Sequence, residues 1–242
     1  MKIYLILSLI ITYVKGSIST SIIYHQILMH NVIKLNPWFE KIMVMIALAA
    51  GTPIQWVGTH RQHHLYKDIE GDPHSPELYG FWYAHFGWYL SSKRTFICFL
   101  YAIAGTFRMF FDSYWRPIDR LEYNHLADDI SSDKFYNTIS KPFNYTLIVF
   151  LYSTFLCFIF YVMIGFLALI SLWFVLVLVC NLGDSLNSIG HLYGRKINKK
   201  SSVRNNYILA LFTFGEGFHA IHHQNHELQT NANSNLNLLN II

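Results

Sequence analysis

The chain has 242 residues, of which 53% are apolar and only 13% charged, and its formal net charge is +4. A soluble domain usually carries about 25% charged residues, so this composition excludes an ordinary water-facing surface and points to a membrane protein. The Lys and Arg residues are scattered rather than clustered, which leaves no footprint for nucleic acid.

The N-terminus, MKIYLILSLIITYVKGS, has one early Lys, an apolar run and small residues, as a signal peptide would. The apolar character resumes after Lys15 and continues to Met29, so the stretch reads as a membrane helix that is not cleaved. Lys15 interrupts it, at a cost in mid-bilayer unless it snorkels or pairs. Next, Trp38–Val57 is apolar but holds Glu40 and Lys41 near its start and Gly51 and Pro53 near its end. It is borderline for a span of about 20 residues and is expected to be a short, partly buried or interfacial helix. Lys93–Phe111, aromatic and apolar with Arg94 and Arg108 near its ends, reads as an interfacial helix.

Tyr145 to Leu182 is one long apolar run, suited to two helices joined by a tight turn at Gly165. A hairpin returns to the side it left. His25, His30, His60, His63, His64, His191, His219, His222 and His223 therefore fall on one face of the membrane. Lys34, Lys67, Arg116, Arg120, Arg195, Lys196, Lys199 and Lys200 share that face, which the positive-inside tendency makes cytoplasmic. Cys98, Cys157 and Cys180 sit in apolar stretches with no C-x-x-C pair, so they read as small buried hydrophobes. The Asn-rich end, TNANSNLNLLNII, is of low complexity; residues 231–242 are expected to be a disordered tail after a single domain over residues 1–230.

Thirteen histidines are many for such a chain, and their spacing is specific. His60, His63 and His64 repeat the H-x-x-H-H pattern of His219, His222 and His223. On an α-helix such a triplet falls within an arc of roughly 100°, so two facing helices would present six imidazoles to one cavity. His25 and His30 diverge by about 140° on the same geometry, which suits two neighbouring ions, one imidazole each. Asn187 and His191 share a helix face, with Asn187 a candidate ligand through water. Imidazole suits zinc, copper, iron and nickel; nine histidines are too many for one tetrahedral zinc. The absence of thiolates and of carboxylate-rich boxes argues against Fe–S clusters and carboxylate-bridged bundles. A histidine-rich di-iron site fits best. His85 and His125 are expected to be hydrogen-bonded core residues, and His74 and His226 structural or loop residues.

Four stretches carry a resemblance: YHQILMH (Tyr24–His30), WVGTHRQHHLYKDIEGDPHSPELYGFWYAHFGW (Trp56–Trp88), NSIGHLYG (Asn187–Gly194) and FGEGFHAIHH (Phe214–His223). In order and spacing they resemble the histidine boxes of the membrane-bound fatty acyl desaturases of the Δ9 type, over about Ile18 to Asn225. The resemblance implies an all-α integral membrane protein, with transmembrane helices under a cytoplasmic helical cap that holds two irons. It implies O2-dependent insertion of a cis double bond into a fatty acyl-CoA or acyl-lipid substrate. Electrons would come from cytochrome b5 or a ferredoxin with its reductase. One iron would take His25, His60, His64 and His223, with Asn187 through water; the other would take His30, His63, His191, His219 and His222. Trp56 matches a position lining the acyl tunnel. Asp72 and Glu216 stand beside the boxes as expected orienting partners of the imidazoles, and Arg61 as a structural ion pair or headgroup contact. By the same resemblance a further helix would precede Met1 and the cap would continue past His223, so the chain reads as shortened at both ends. A related hydroxylase, or an inactive copy that only binds metal, is the alternative.

Overall fold

The computed structural model describes residues 2–90, 94–114, 125–197 and 202–224. Among these residues, three helices are long and apolar enough to cross a membrane: Ile3–Met29, Pro142–Ile164 and Phe166–Leu192. Among the described residues the only strands are β1 (Arg195–Lys196) and β2 (Arg204–Asn205), an antiparallel pair with Arg195 opposite Asn205.

The first span is α1 (Lys2–Ile18), continued without a break by a π-wound segment, Ser19–Met29. That segment ends where His30 N–H reaches back to the His25 carbonyl at 3.0 Å and Asn31 turns to φ 53°. The Leu28 and Met29 carbonyls, left over at a helix end, accept from the Arg61 guanidinium at 3.4 and 3.2 Å. Arg61 also forms an ion pair with Asp129 at 2.6 Å. Its role is the structural one of the two expected.

The stretch Trp38–Val57 is not a single interfacial helix. It contributes to α2 (Pro37–Ala47) and α3 (Pro53–Tyr66), which meet at a 77° bend and together are long and apolar enough for a broken span. Gly51, at φ 128°, makes the bend, and Pro53 starts α3 where its missing N–H costs nothing. The Tyr24 hydroxyl donates to the Gly51 carbonyl at 2.7 Å and fixes the corner. After the short α4 (Pro76–Tyr79), the expected interfacial helix gives way to α5 (Thr95–Ile103) and α6 (Arg108–Tyr114), bent by 117°. Arg108 is turned inward, 2.7 Å from Asp184.

Two short helices, α7 (Asp128–Ser131) and α8 (Lys134–Ile139), lead to the hairpin of α9 (Pro142–Ile164) and α10 (Phe166–Leu192). Gly165 sits at φ 92° between them, a conformation that favours glycine, so the hinge falls where the sequence puts it. α10 runs on past the apolar stretch and carries Asn187 and His191 beyond it. The main core, including Ile23, Tyr24, Val44, Val57, Met109 and Tyr145, joins the π-wound segment, α2, α3, α6 and α9 beneath the histidines.

β2 and α11 (Tyr207–Phe212) lead to a tight turn in which Phe214 and Gly215 both have positive φ. Residues 219–224 are helical, and the Asn205 side-chain oxygen caps them by accepting from Ala220 and Ile221 N–H at 3.0 and 3.3 Å. Gly217 lies against the start of α11: a Cβ there would be 2.1 Å from the Ala210 nitrogen. Gly217→Ala is expected to displace the turn, costing about 1–3 kcal/mol of stability, and to lower bound metal by moving His219. Thermal unfolding and metal analysis of the purified variant test this.

Among the described residues the three cysteines form no disulfide; Cys98 is buried and the others half-buried. His226 and the Asn-rich tail lie outside the described residues, as do Arg116, Arg120, Lys199 and Lys200.

Candidate metal centre

α3 presents His60, His63 and His64, and the helical residues 219–224 present His219, His222 and His223 opposite them. Ring centroids are 4.4 Å apart for His64 and His223, 5.1 Å for His64 and His222, and 5.1 Å for His63 and His223. The π-wound segment and its end add His25 and His30, and α10 adds His191.

The nine imidazoles fall into two groups. His25, His30, His60, His64 and His222 each turn one ring nitrogen into a space where these atoms lie within 4.8 Å of one another; so do His63, His191, His219 and His223. This division differs from the one the resemblance implies. His30 and His222 stand with His25, and His223 stands with His63. The first difference has a physical cause. The divergence of His25 and His30 assumes α winding, but hydrogen bonds from residue i to i+5 bring residues five apart back to one side. Their Nε2 atoms are 3.2 Å apart. The second difference follows from adjacency on one helix. His222 Nε2 reaches His25, His30 and His64 at 3.1–3.2 Å, while His223 Nε2 turns to His219 at 3.3 Å.

Carboxylates hold the outer nitrogens. Glu216 lies 2.9 Å from His25 Nδ1, Asp72 3.0 Å from His63 Nδ1, and Asp68 2.9 Å from His191 Nδ1. Glu216 and Asp72 are the two acids that sequence reasoning singled out. Asp68 escaped it, although its place four residues before Asp72 in the loop after α3 was a usable signal. Burial opposes ionisation of Asp68 and Asp72. The hydrogen bonds and charge of His191 nonetheless hold the Asp68 carboxyl below the usual carboxylate range, and those of His63 lower Asp72 to about 2. Asp72 also accepts from the backbone N–H of Asp68 and His74 at 2.8 and 3.0 Å. Glu216→Gln is expected to weaken metal binding roughly 10–100-fold, read by competition with a metal-sensitive dye.

These residues fit bound metal. A neutral imidazole has one N–H; where Nδ1–H is given to a carboxylate, Nε2 has only a lone pair. Three Nε2 atoms, of His25, His30 and His222, lie within 3.1–3.2 Å of one another, and protons on those atoms cannot satisfy all three contacts. His63 Nε2 is buried with no hydrogen-bond partner among the described residues. Burial, and then the neighbouring histidines, push His219 and His223 well below the usual imidazole range, which keeps them neutral as ligands must be. A cation in each group would supply what the lone pairs lack, and an all-imidazole donor set suits a transition metal.

A cavity of about 380 Å³ meets this centre; His25, Trp56, His60, Asn187 and His219 border it. Trp56 stacks on His60 with centroids 5.0 Å apart. Asn187 lies on the cavity wall. His74 is buried against His63, with centroids 4.3 Å apart, and burial lowers it to about 3. His85 is a hydrogen-bonded core residue, as expected, held by Ser188 at 2.9 Å. His125 is not; it is exposed, 3.7 Å from Asp128.

Residues 3–232 match the family model for fatty acid desaturases. A Delta-9 acyl-lipid desaturase 2 from Arabidopsis thaliana is 29% identical over 87% of this chain and 61% of its own length. An acyl-CoA C20 Delta5-desaturase from Anemone leveillei is 31% identical over 86% of the chain and 59% of its own. An sn-2 palmitoyl-lipid 9-desaturase from Nostoc is 30% identical over 86% and 65%. The chain thus spans about three-fifths of the length of these curated relatives.

Proposed function

The chain belongs to the fatty acid desaturase family, and from that membership we propose that it inserts a cis double bond into a long-chain fatty acyl substrate, at Δ9, with O2 as oxidant. The acyl chain arrives as a CoA thioester or within a lipid. The observation that carries the reading is the meeting of two imidazole groups with one largely apolar cavity. Residues 1–230 work as one domain in the membrane, with the site at the cytoplasmic face and cytochrome b5 or a ferredoxin and its reductase as electron donor.

In this reading one iron is held by His25, His30, His60, His64 and His222, and the other by His63, His191, His219 and His223, with Asn187 a further ligand through water. When bound, the two irons supply the oxidising power to take hydrogen from a C–H bond that has no acidic proton. The chain's own residues do the rest. Asp68, Asp72 and Glu216 hold the Nδ1 protons and so aim the Nε2 lone pairs. The buried rings of His63, His191, His219 and His223 exclude water. Trp56 and the apolar wall bind the hydrocarbon, which offers no charge to grip, so that position rather than acid–base chemistry selects the bond.

Expression in a desaturase-deficient host, with fatty acids profiled by mass spectrometry and iron measured in the purified protein, tests this. New cis-monoenes are expected, together with iron. Hydroxylated acids in their place would mean an oxygenase on the same scaffold. Iron without any product, given a working electron donor, would overturn catalysis, and stoichiometric zinc from iron-replete cells would overturn the metal assignment.

A further inference from the structure

The cavity does not stop at the histidines. Its far part runs as a groove with Ile11 and Thr12 of α1 on one side, Leu156 and Phe160 of α9 on the other, and Leu172 and Leu176 of α10 as its floor. Gly16 seats α1 on that floor: a Cβ there would lie 2.7 Å from Val179. α9 packs on α10 and α6, and α1 packs on α10, but α1 and α9 do not pack closely on each other. The side of the groove between them therefore faces outward. α9 belongs to a candidate span, and Leu151, Phe155 and Phe158 are exposed along it.

Across that open side reaches Lys15. Its Nζ lies 4.4 Å from the centre of the Tyr152 ring, and no carboxylate among the described residues pairs with it. Lys15 stands near the middle of a 27-residue candidate span, where an ionisable residue is costly and marks function by default. A structural lysine there would snorkel to the interface or find an acid. This one lies over an aromatic face instead, and Thr12, Ser19 and Ser153 border the same cavity beside it. It precedes His25 by about ten residues, roughly 15 Å along a helix.

We propose that Lys15 and Tyr152 form a strap across a lateral entrance, through which the acyl chain of a membrane lipid passes from the bilayer to the histidine centre. The inference rests on the acyl-desaturase reading and deepens it by choosing the lipid-borne chain over the soluble thioester. A chain entering sideways stays in an apolar medium throughout. What must open is one cation–π contact, weak at a site with no acid to reinforce it. A chain delivered from the aqueous face would have no use for a gap between two membrane helices, or for a removable bar across it.

The test is photolabelling in reconstituted vesicles. One probe is a phosphatidylcholine with a diazirine in one acyl chain; the other is an acyl-CoA with the same group, added from water. The lipid probe is expected to mark groove residues of α1 and α9 and to reach Trp56. Lys15→Trp, which plugs the entrance, is expected to cut lipid labelling at Trp56 by about tenfold and leave acyl-CoA labelling unchanged. Leu156→Trp narrows the same groove from α9 and serves if the first variant does not accumulate. Lipid labelling absent from the groove, or unaffected by both plugs, would overturn the entrance. Labelling needs no turnover, so a protein that labels as expected but makes no product sinks the catalytic reading alone. A protein that makes monoenes without groove labelling sinks the entrance alone.

Discussion

The variants His64→Ala and His222→Ala, alone or together, are each expected to retain about one metal ion per chain where the parent holds about two, because both residues turn into the same nitrogen group. Combining His64→Ala with His223→Ala is expected to empty both positions. The opposite pattern follows from the division implied by resemblance, in which His64 and His223 share an ion and His222 serves the other. Metal analysis of the two single and two double variants decides between them. In every case desaturation is expected to fall to background, since residues that act as a unit are not additive in their effects. Stoichiometry discriminates here, and activity does not. A His64/His222 double variant with no metal at all would refute the geometric division.

The second large effect is expected at Asp72. Its carboxylate accepts from His63 Nδ1 and from two backbone N–H groups, and it is almost wholly buried. Asp72→Ala would strand all three donors, at a cost of about 3–5 kcal/mol. The loss should appear as a large drop in the midpoint of thermal unfolding and as loss of metal from the His63 group before the His25 group. Asp72→Asn keeps the shape but only one of the two backbone contacts, since the Asp68 and His74 N–H groups donate to different oxygens and the amide has one acceptor. It is expected to cost less stability than Asp72→Ala while still lowering metal affinity roughly 10–100-fold, because an amide no longer holds the imidazole proton as a carboxylate does. Equal metal affinity in Asp72→Asn and the parent would show that Asp72 only supports the loop.

What was legible in the sequence follows the strength of each local signal. Gly165 between two unbroken apolar runs announces the hairpin of α9 and α10, and the structure puts the turn there. The two H-x-x-H-H triplets announce two arcs of imidazole, and they do face each other. The bend at Gly51 and Pro53 was signalled by residues read only as weakening a span; in the structure they break one sharply. Arg108 was read as an end marker of an interfacial helix, because the sequence gives no hint that Asp184, far along the chain, waits to neutralise it. The partner of Asp68 was hidden for the same reason, since His191 comes more than a hundred residues later. His25 and His30 are the most instructive case. Every step of that inference was sound except the winding assumed, and a π-wound stretch carries no compositional mark.

That stretch also makes the chain unequally tolerant of length changes around the first pair of histidines. A spacing of five on a wide helix and a spacing of four on an ordinary one both bring two rings to the same side. Losing one residue from Gln26 to Met29 could therefore be absorbed by rewinding to the commoner form, with both rings still facing inward. Gaining one residue has no such remedy, because no wider regular winding is available to take it up. Deletion and insertion, symmetrical as changes to the gene, are unequal in their consequences for the centre.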